Sequence, residues 1–291
     1  MIYTILLSSL LAAATLSSAL PSTGIAKRST GVIKCPVVLS GLVSTSLTLS
    51  DFDSDSTSPF DAEYVRGSQL FSQTLLLPNV SNSHFDNSSY RAIETTINDQ
   101  SIFQGQTGFR RIGLQMDGDT NTGSPGTTGI RTMHFSVKQD PARPMNLSHE
   151  YLNVWHETSD YSANQFNFEA GTIIGTSGTD KNSFKILNRE NTEVWSTPID
   201  DTAWQNFAVT LDFNQNTLQI YYSENDDPLK AVTSALSNDN SGEGQYQIGM
   251  LKKPTGTTNV VYDGYQESGI NEGQIYGGLF VEDSTGGCIS L

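Results

Sequence analysis

Polar and aromatic side chains share one face of three strand-like segments in this 291-residue chain. Successive side chains of a strand point to opposite faces, so in the first segment Arg111 and Gln115 lie opposite Ile112 and Leu114. Rings and amides suit a neutral, hydroxyl-rich sugar, because a sugar presents apolar C–H faces and many hydrogen-bonding groups. The alternative is the solvated side of an open sheet. The candidate ligand-binding residues are Arg111, Gln115, His134, Asn153, Trp155 and Gln247.

Glu150, preceded by His149, is one of the glutamates whose carboxyl group could take part in catalysis. Hydrolysis of a sugar linkage uses two carboxyl groups: one protonates the leaving oxygen, and the other attacks the anomeric carbon or activates water. His149 is a candidate base, although a histidine in a polar strand is often only a hydrogen-bonding residue. Glu150 and His149 are thus candidates for catalytic residues. A salt-bridged strand-end carboxylate is the alternative for Glu150, and Glu94, Glu157 and Glu282 are candidates for the second carboxyl group.

Short alternating segments, separated by Gly, Asn, Asp and Ser turns, must position these residues. In the third segment, alternation predicts that Leu152 and Val154 face inward and that Tyr151, Asn153 and Trp155 face outward. The pattern predicts an all-β fold: a single-domain, antiparallel two-sheet β-sandwich of jelly-roll type over residues 29–291. The predicted strands are Arg91–Ile97, Phe109–Met116, Thr132–Lys138, Tyr151–His156, Phe207–Phe213, Leu218–Ser223, Gln245–Met250 and Gln274–Val281.

The N-terminal opening predicts secretion to the extracellular space. Residues 5–16 form an apolar run that is too short to span a bilayer, and residues 1–19 as a whole are typical of a signal peptide. The pair Lys27-Arg28 is a candidate processing site that would release residues 20–28 as a pro-segment. An ordinary exposed pair is the alternative.

Two cysteines and three sequons agree with an extracellular protein. Cys35 and Cys288 lie near the two ends of the mature chain, and in an oxidising compartment we expect them to form a disulfide rather than to remain free thiols. The sequons predict glycosylation at Asn79, Asn87 and Asn146.

The excess of carboxylates argues against nucleic acids and anionic membranes as binding partners. The chain has 16 Lys and Arg against 31 Asp and Glu, a formal net charge of −15. Without a cluster of cations it is a poor partner for nucleic acid or an anionic membrane. Asp51, Asp53 and Asp55 alternate as calcium ligands sometimes do, but the run lacks the Gly and distal Glu of an EF-hand loop. We expect a monomer without a cofactor, and calcium at these aspartates stays open as an alternative.

Six short runs between residues 100 and 278 resemble glycoside hydrolase family 131, secreted fungal enzymes acting on β-glucans. The runs are Gln100-Ser101-Ile102-Phe103, Phe109-Arg110-Arg111, Arg143-Pro144-Met145-Asn146-Leu147-Ser148-His149-Glu150-Tyr151, Trp204-Gln205-Asn206-Phe207, Leu251-Lys252-Lys253-Pro254 and Glu272-Gly273-Gln274-Ile275-Tyr276-Gly277-Gly278. The resemblance implies a β-jelly roll, cleavage of β-1,3-, β-1,6- or β-1,4-linked glucan of plant or fungal cell walls, and no organic cofactor. It carries over Glu150 as a catalytic residue, together with neighbouring His149 and with Arg111 and His134. We therefore predict Glu150 and His149 as catalytic residues.

One position departs from that resemblance. The family pattern after the paired arginines has an acidic residue where this chain has Gly113. Two functions therefore stay open: a β-glucan hydrolase that uses Glu150, and a catalytically degenerate glucan-binding or apoplastic interaction protein. A polysaccharide lyase is a remote alternative, because a strongly acidic protein would meet an anionic polymer.

Overall fold

Two antiparallel sheets, packed face to face, form the body of residues 31–291, the part of the chain that the computed structural model describes. The predicted signal peptide and pro-segment lie outside these residues. Residues 31–291 contain one helix, α1 (Phe71–Thr74), and three 3-10 turns at Leu49–Asp53, Pro125–Thr127 and Thr285–Gly287. No helix within the described residues has the length and apolar character needed to cross a bilayer.

Nine strands form the back sheet and six form the front sheet. The strands are β1 (Val37–Ser40), β2 (Val43–Ser44), β3 (Leu75–Leu76), β4 (Tyr90–Arg91), β5 (Ile93–Asn98), β6 (Arg110–Leu114), β7 (Ile130–Lys138), β8 (Glu150–Glu157), β9 (Asn164–Gly171), β10 (Ser183–Asn188), β11 (Glu193–Pro198), β12 (Gln205–Asp212), β13 (Thr217–Glu224), β14 (Lys230–Ala231), β15 (Leu236–Ser237), β16 (Gln245–Lys252) and β17 (Asn271–Asp283).

The strand order confirms the predicted antiparallel sandwich. The back sheet runs β14-β13-β12-β7-β17-β5-β3, with β1 paired to β17 and β15 to β13. The front sheet runs β11-β10-β9-β8-β16-β6, and β2 with β4 forms a separate ribbon. The strand list from the sequence lacked β9, β10 and β11, which make up half of the front sheet.

Phenylalanines from both sheets meet in the core between them. Phe135 and Phe207 of the back sheet stack at 5.3 Å between ring centroids, and Phe168 of the front sheet lies 4.7 Å from Phe207. Strand alternation sends Phe166 and Phe168 of β9 inward, which leaves the residues between them on the outer face of the front sheet. The core thus determines which side chains are available to form a site.

A β-bulge in β8 changes which side chains of this strand point into the core. The register between β8 and β9 shifts between Leu152 and Val154, so one extra residue enters β8 and reverses the alternation beyond it. Tyr151 and Val154 both pack in the core, whereas Glu150 and Leu152 line the outer surface. Val154 faces the core as predicted. The predicted facing of Tyr151 and Leu152 was wrong, because simple alternation assumes an uninterrupted strand.

The predicted disulfide is present between Cys35 and Cys288, whose Cα atoms are 5.9 Å apart. Pairing of β1 with β17 brings the two ends of the described chain together, since Val37 lies opposite Glu282. The bridge links two residues that are 253 positions apart in the sequence. It therefore restrains the unfolded chain strongly.

Replacement of both cysteines by alanine should lower the free energy of unfolding by up to about 5 kcal/mol, the chain-entropy value for so long a loop. Urea unfolding of the oxidised protein and of the double variant measures this difference. Reduction of the unmodified protein should give a similar loss, and an unchanged midpoint after reduction would contradict the prediction.

Candidate active site

A groove crosses the outer face of the front sheet. It consists of two cavities of about 510 Å³ and 440 Å³ that share Glu157 and Tyr161. We name them the Glu150 cavity and the Arg111 cavity after the residue that each contains. The Glu150 cavity lies over β8, β9 and β10, and the Arg111 cavity lies over β6 and β16.

Glu150 begins β8 and is almost wholly buried at the edge of its cavity. One carboxylate oxygen accepts a hydrogen bond from the backbone N–H of Ile174 at 2.6 Å. The other forms an ion pair with the ammonium of Lys253, a half-buried side chain that also lines the cavity. These two donors orient the carboxyl group of Glu150.

Glu169 is a second carboxyl group in the Glu150 cavity. It lies on β9 opposite Leu152 of β8, while Glu150 lies opposite Gly171, so the two glutamates are diagonal neighbours on one face of the sheet. Burial first, and then the negative charge of Glu150, raise the pKa of Glu169 to about 8, although Lys253 and Lys185 act in the opposite direction. Its Oε2 is buried without a hydrogen-bond partner. Glu169 therefore holds a proton at neutral pH.

Sequence reasoning missed Glu169, although a signal for it exists. Residues 165–170 alternate strictly between polar and apolar types, with Gln165, Asn167 and Glu169 on one face and the aromatic residues on the other. This is the pattern of a half-buried strand. The proximity of Glu169 to Glu150, however, follows from the pairing of β9 with β8, which alternation does not specify.

His149 lies behind Glu150 rather than in the groove. Its Nδ1 is 2.7 Å from the backbone oxygen of Lys253, and its Nε2 is 3.0 Å from Glu267. Glu267 also pairs at 2.5 Å with Lys252, which is fully buried. Both ring nitrogens of His149 thus face protein oxygens. The structure assigns it to the support of the Lys253 segment, whereas the sequence predicted a catalytic base.

The Arg111 cavity brings together two predicted binding residues, Arg111 and Gln247, and Gln115 contacts its wall through Gln245. The guanidinium of Arg111 donates to Gln106 at 3.1 Å and, at 3.4 Å, to Gln247. Gln247 in turn donates to Glu157, and the side-chain amide of Gln115 donates to Gln245, which also lines this cavity. Burial raises the pKa of Glu157, while Arg111 and Gln247 lower it. The side of this cavity is thus lined by glutamine amides that surround the guanidinium of Arg111 and the carboxyl group of Glu157.

His134 and Asn153 do not lie in the groove, so their predicted placement with Arg111 was wrong. His134 belongs to the back sheet, where it stacks on Phe280 at 4.4 Å and pairs with Glu282 at 2.9 Å, both partners fully buried. Asn153 is the extra residue of the bulge; its side chain is buried and its Nδ2 is 3.9 Å from the sulfur of Met145. Neither position can be assigned to a sheet or a face from local alternation.

Trp155 is on the outer face but is not an open stacking surface. It is 2% exposed and packs with Phe109, Leu152 and Leu251 in a small apolar cluster. The exposed ring in the groove is Tyr161, 63% exposed and adjacent to both cavities. Tyr161 follows β8 in a turn, which is why the strand pattern did not identify it.

None of the three sequence candidates for the second carboxyl group lies beside Glu150. Glu94 belongs to the back sheet and is paired with Arg143 at 2.7 Å, and Glu282 is paired with His134. Glu157 shares the groove, but it is seven residues farther along β8, a distance of about 23 Å in an extended strand. The carboxyl group on the strand beside Glu150 is instead that of Glu169.

Gly113 faces the groove, but the space above it is occupied. Its N–H donates to the backbone oxygen of Val65 at 2.8 Å. A Cβ added at this position would lie 3.2 Å from the Cβ of Val65 and 3.8 Å from the ring of Tyr64. The segment before α1 therefore covers the position where the family pattern has its acidic side chain.

The aspartates considered for calcium have separate partners. Asp51 accepts from Thr48, Asp53 from the N–H of Ser72 at 2.9 Å, and Asp55 from the N–H of Ala62 at 2.6 Å. Across residues 31–291, no three His, Cys, Asp or Glu groups are placed to share a metal ion. The calcium alternative thus finds no support, and the absence of a cofactor stays a prediction.

The three sequon asparagines, Asn79, Asn87 and Asn146, are all exposed. The side chain of Asn146 donates to Glu267 at 2.8 Å. Their surface position is compatible with glycosylation, which stays a prediction.

We expect Gly113→Glu to lower the free energy of unfolding by about 1–3 kcal/mol, because the new side chain must displace Val65 from a packed position. Gly113→Ala adds only the Cβ and should cost less. Denaturant unfolding of both variants measures the effect, and a fully stable Gly113→Glu protein would show that the covering segment yields freely.

The raised pKa of Glu169 also predicts a pH-dependent difference in stability. The folded protein binds the Glu169 proton up to about pH 8, whereas the unfolded chain releases it near the ordinary value of about 4.3. Stability is therefore lost as pH rises through this window. Glu169→Gln removes that loss, so the variant should gain stability relative to the unmodified protein between pH 5 and pH 9. The melting temperatures of the variant and of the unmodified protein at pH 5 and pH 9 test this prediction. The same difference between the two proteins at both pH values would contradict it.

Comparisons with known proteins identify the family of this chain. The sequence model of the glycoside hydrolase 131 catalytic N-terminal domain matches residues 37–287. A comparison with curated protein sequences gave no match.

Two solved structures share the fold over most of their length. The catalytic domain of a GH131 β-glucanase from Podospora anserina is 19% identical, with a TM-score of 0.69 over 87% of this chain and 97% of the other. The catalytic domain of the glycoside hydrolase family 131 protein from Coprinopsis cinerea is 20% identical, with a TM-score of 0.68 over 88% and 96%. Because the family's domain spans most of the chain and its fold is the one found here, the protein belongs to glycoside hydrolase family 131.

Proposed function

We propose that this protein hydrolyses β-glucan in the groove of the front sheet, with Glu150 as a catalytic carboxylate. Family membership supports a glycoside hydrolase, and the similar Podospora anserina domain is described as a β-glucanase. Glu150 carries the proposal: it lies at the groove, and two donors from Lys253 and Ile174 orient its carboxylate. In hydrolysis this group attacks the anomeric carbon or takes a proton from the attacking water.

The lining of the groove suits a neutral glucan. Tyr161 supplies an exposed ring on which the apolar face of a glucose unit can stack. Amides of Asn164, Asn167 and Gln247 supply hydrogen-bonding groups for its hydroxyls. Carboxyl groups in both cavities disfavour a uronate polymer, since like charges repel across an interface. A polysaccharide lyase is for that reason not proposed.

A glucan-binding protein without turnover is the second candidate, and Gly113 is the observation that favours it. The acidic residue of the family pattern is absent there, and Val65 and Tyr64 occupy the space above the position. Such a protein would hold glucan in the same groove without hydrolysing it.

We infer that the protein acts outside the cell. The Cys35–Cys288 disulfide supports this, because disulfides persist in oxidising compartments and are rare in the cytosol. Exposed sequon asparagines and the apolar N-terminal run are in agreement.

Glu150→Gln should reduce the release of reducing sugar from laminarin or a mixed-linkage glucan by at least about 100-fold, as expected for loss of a positioned carboxylate. Gln keeps the size of the side chain and its acceptor for the Ile174 N–H. Binding of the same glucans should be retained and is measured by calorimetry.

Glu190→Gln is the matched control, since Glu190 is an exposed carboxylate on the turn between β10 and β11. It should leave the rate unchanged. Saturable glucan binding with no turnover by the unmodified protein would reject hydrolysis in favour of the second candidate.

A further inference from the structure

The site needs a second carboxyl group that acts with Glu150. A glycoside hydrolase needs a proton donor as well as a carboxylate, and the family pattern would place an acidic group at Gly113. That position lies on β6, two strands from β8, so it is about 10 Å to the side of Glu150 at the usual strand spacing. It is also displaced along the sheet: Gly113 pairs with Gly249, whereas Glu150 lies beside Lys253.

Glu169, by contrast, is on the strand next to Glu150. Diagonal neighbours on paired strands have Cα atoms about 7–8 Å apart. The carboxyl groups of two such side chains can therefore take up the separation of about 5–9.5 Å found in glycosidase pairs. Both side chains line the Glu150 cavity, and their charges interact.

The environments of the two glutamates differ in the way that acid and base roles require. Glu150 is held by an ammonium and a backbone N–H. Glu169 is buried, and one of its oxygens has no donor. Charged groups face Glu169 from each neighbouring strand: Glu150 from β8, Lys185 from β10, and Lys253 from the segment after β16. Lys185 donates its own hydrogen bonds to the backbone oxygens of Gly171 and Ser183.

We propose that Glu169 is the proton donor that acts with Glu150, in place of the acidic residue missing at Gly113. The inference rests on the proposed hydrolytic function and names a catalytic residue for it. A sugar linkage bound across the Glu150 cavity has its glycosidic oxygen toward Glu169 and its anomeric carbon toward Glu150.

The reaction balances with water as the only co-reactant. The bond between the anomeric carbon and the glycosidic oxygen breaks, and the leaving sugar departs as an alcohol with the proton of Glu169. A water oxygen ends on the anomeric carbon and keeps one hydrogen as the new hydroxyl. The other hydrogen returns to the carboxyl pair, which restores the starting state.

Other carboxyl groups near Glu150 are less suited to give a proton. Glu157 lies about 23 Å along the same strand, too far to reach the same linkage. Glu267 is behind Glu150; burial opposes ionisation there, but hydrogen bonds from Lys252 and Asn146 lower its pKa to about 2. Glu267 therefore stays ionised across the working range of most hydrolases.

Glu169→Gln tests the proposal with two substrates. Release of sugar from laminarin should fall by about 100-fold or more, the usual contribution of a general acid. On a 2,4-dinitrophenyl β-oligoglucoside the loss should be much smaller, because that leaving group departs without protonation. Glu150→Gln should lose activity on both substrates. The decline of the unmodified enzyme's rate above about pH 8 should be absent from the residual activity of Glu169→Gln.

Two further variants keep the test decisive. Glu169→Asp retains a carboxyl group, so it should keep the alkaline decline at a reduced rate even if Glu169→Gln does not fold. Glu190→Gln is the unaffected control. An active enzyme whose rate and pH profile survive Glu169→Gln would overturn the role of Glu169 and leave the proposed function intact. An unmodified protein inactive on both substrates would overturn the proposed function and, with it, this inference.

Discussion

One extra residue in strand β8 determines which side chains form the groove. Glu150 and Trp155 are five positions apart, so uninterrupted alternation would place them on opposite faces of the sheet. The bulge at Leu152–Val154 reverses the alternation and turns both toward the outer face, while Tyr151 and Val154 stay in the core. Bulges often redirect a side chain next to an active site. Here the bulge lets one strand turn both Glu150 and Trp155 toward the outer face.

The support of Glu150 extends well behind the groove. Lys253 pairs with Glu150, and the backbone of Lys253 is held in turn by His149. The neighbouring Lys252 is buried between Glu267 and Glu272. Buried charges are costly unless they are paired and hydrogen-bonded. This chain of pairs therefore fixes the segment after β16, so that a cation and a carboxylate face the cavity together.

Two carboxyl groups in one cavity acquire different properties from their surroundings. Glu150 has donors on both oxygens, whereas Glu169 is buried with an oxygen that no group satisfies. Pairs of titratable groups whose environments separate their pKa values are the usual basis for acid and base roles. The absence of an acidic residue at Gly113 thus does not leave the cavity with a single carboxyl group.

The sequence by itself determined the all-β class, the disulfide, the inward face of the uninterrupted strand β6 and the candidacy of Glu150, because these follow from local alternation, residue type and resemblance. Only the tertiary structure decided which outer faces meet. His134 and Arg111 have similar local patterns, yet they lie on different sheets. Glu169 shows a clear alternating pattern, yet its relation to Glu150 depends on the pairing of β9 with β8. Alternation records only whether a side chain is inside or outside, whereas a site requires side chains from distant segments to converge.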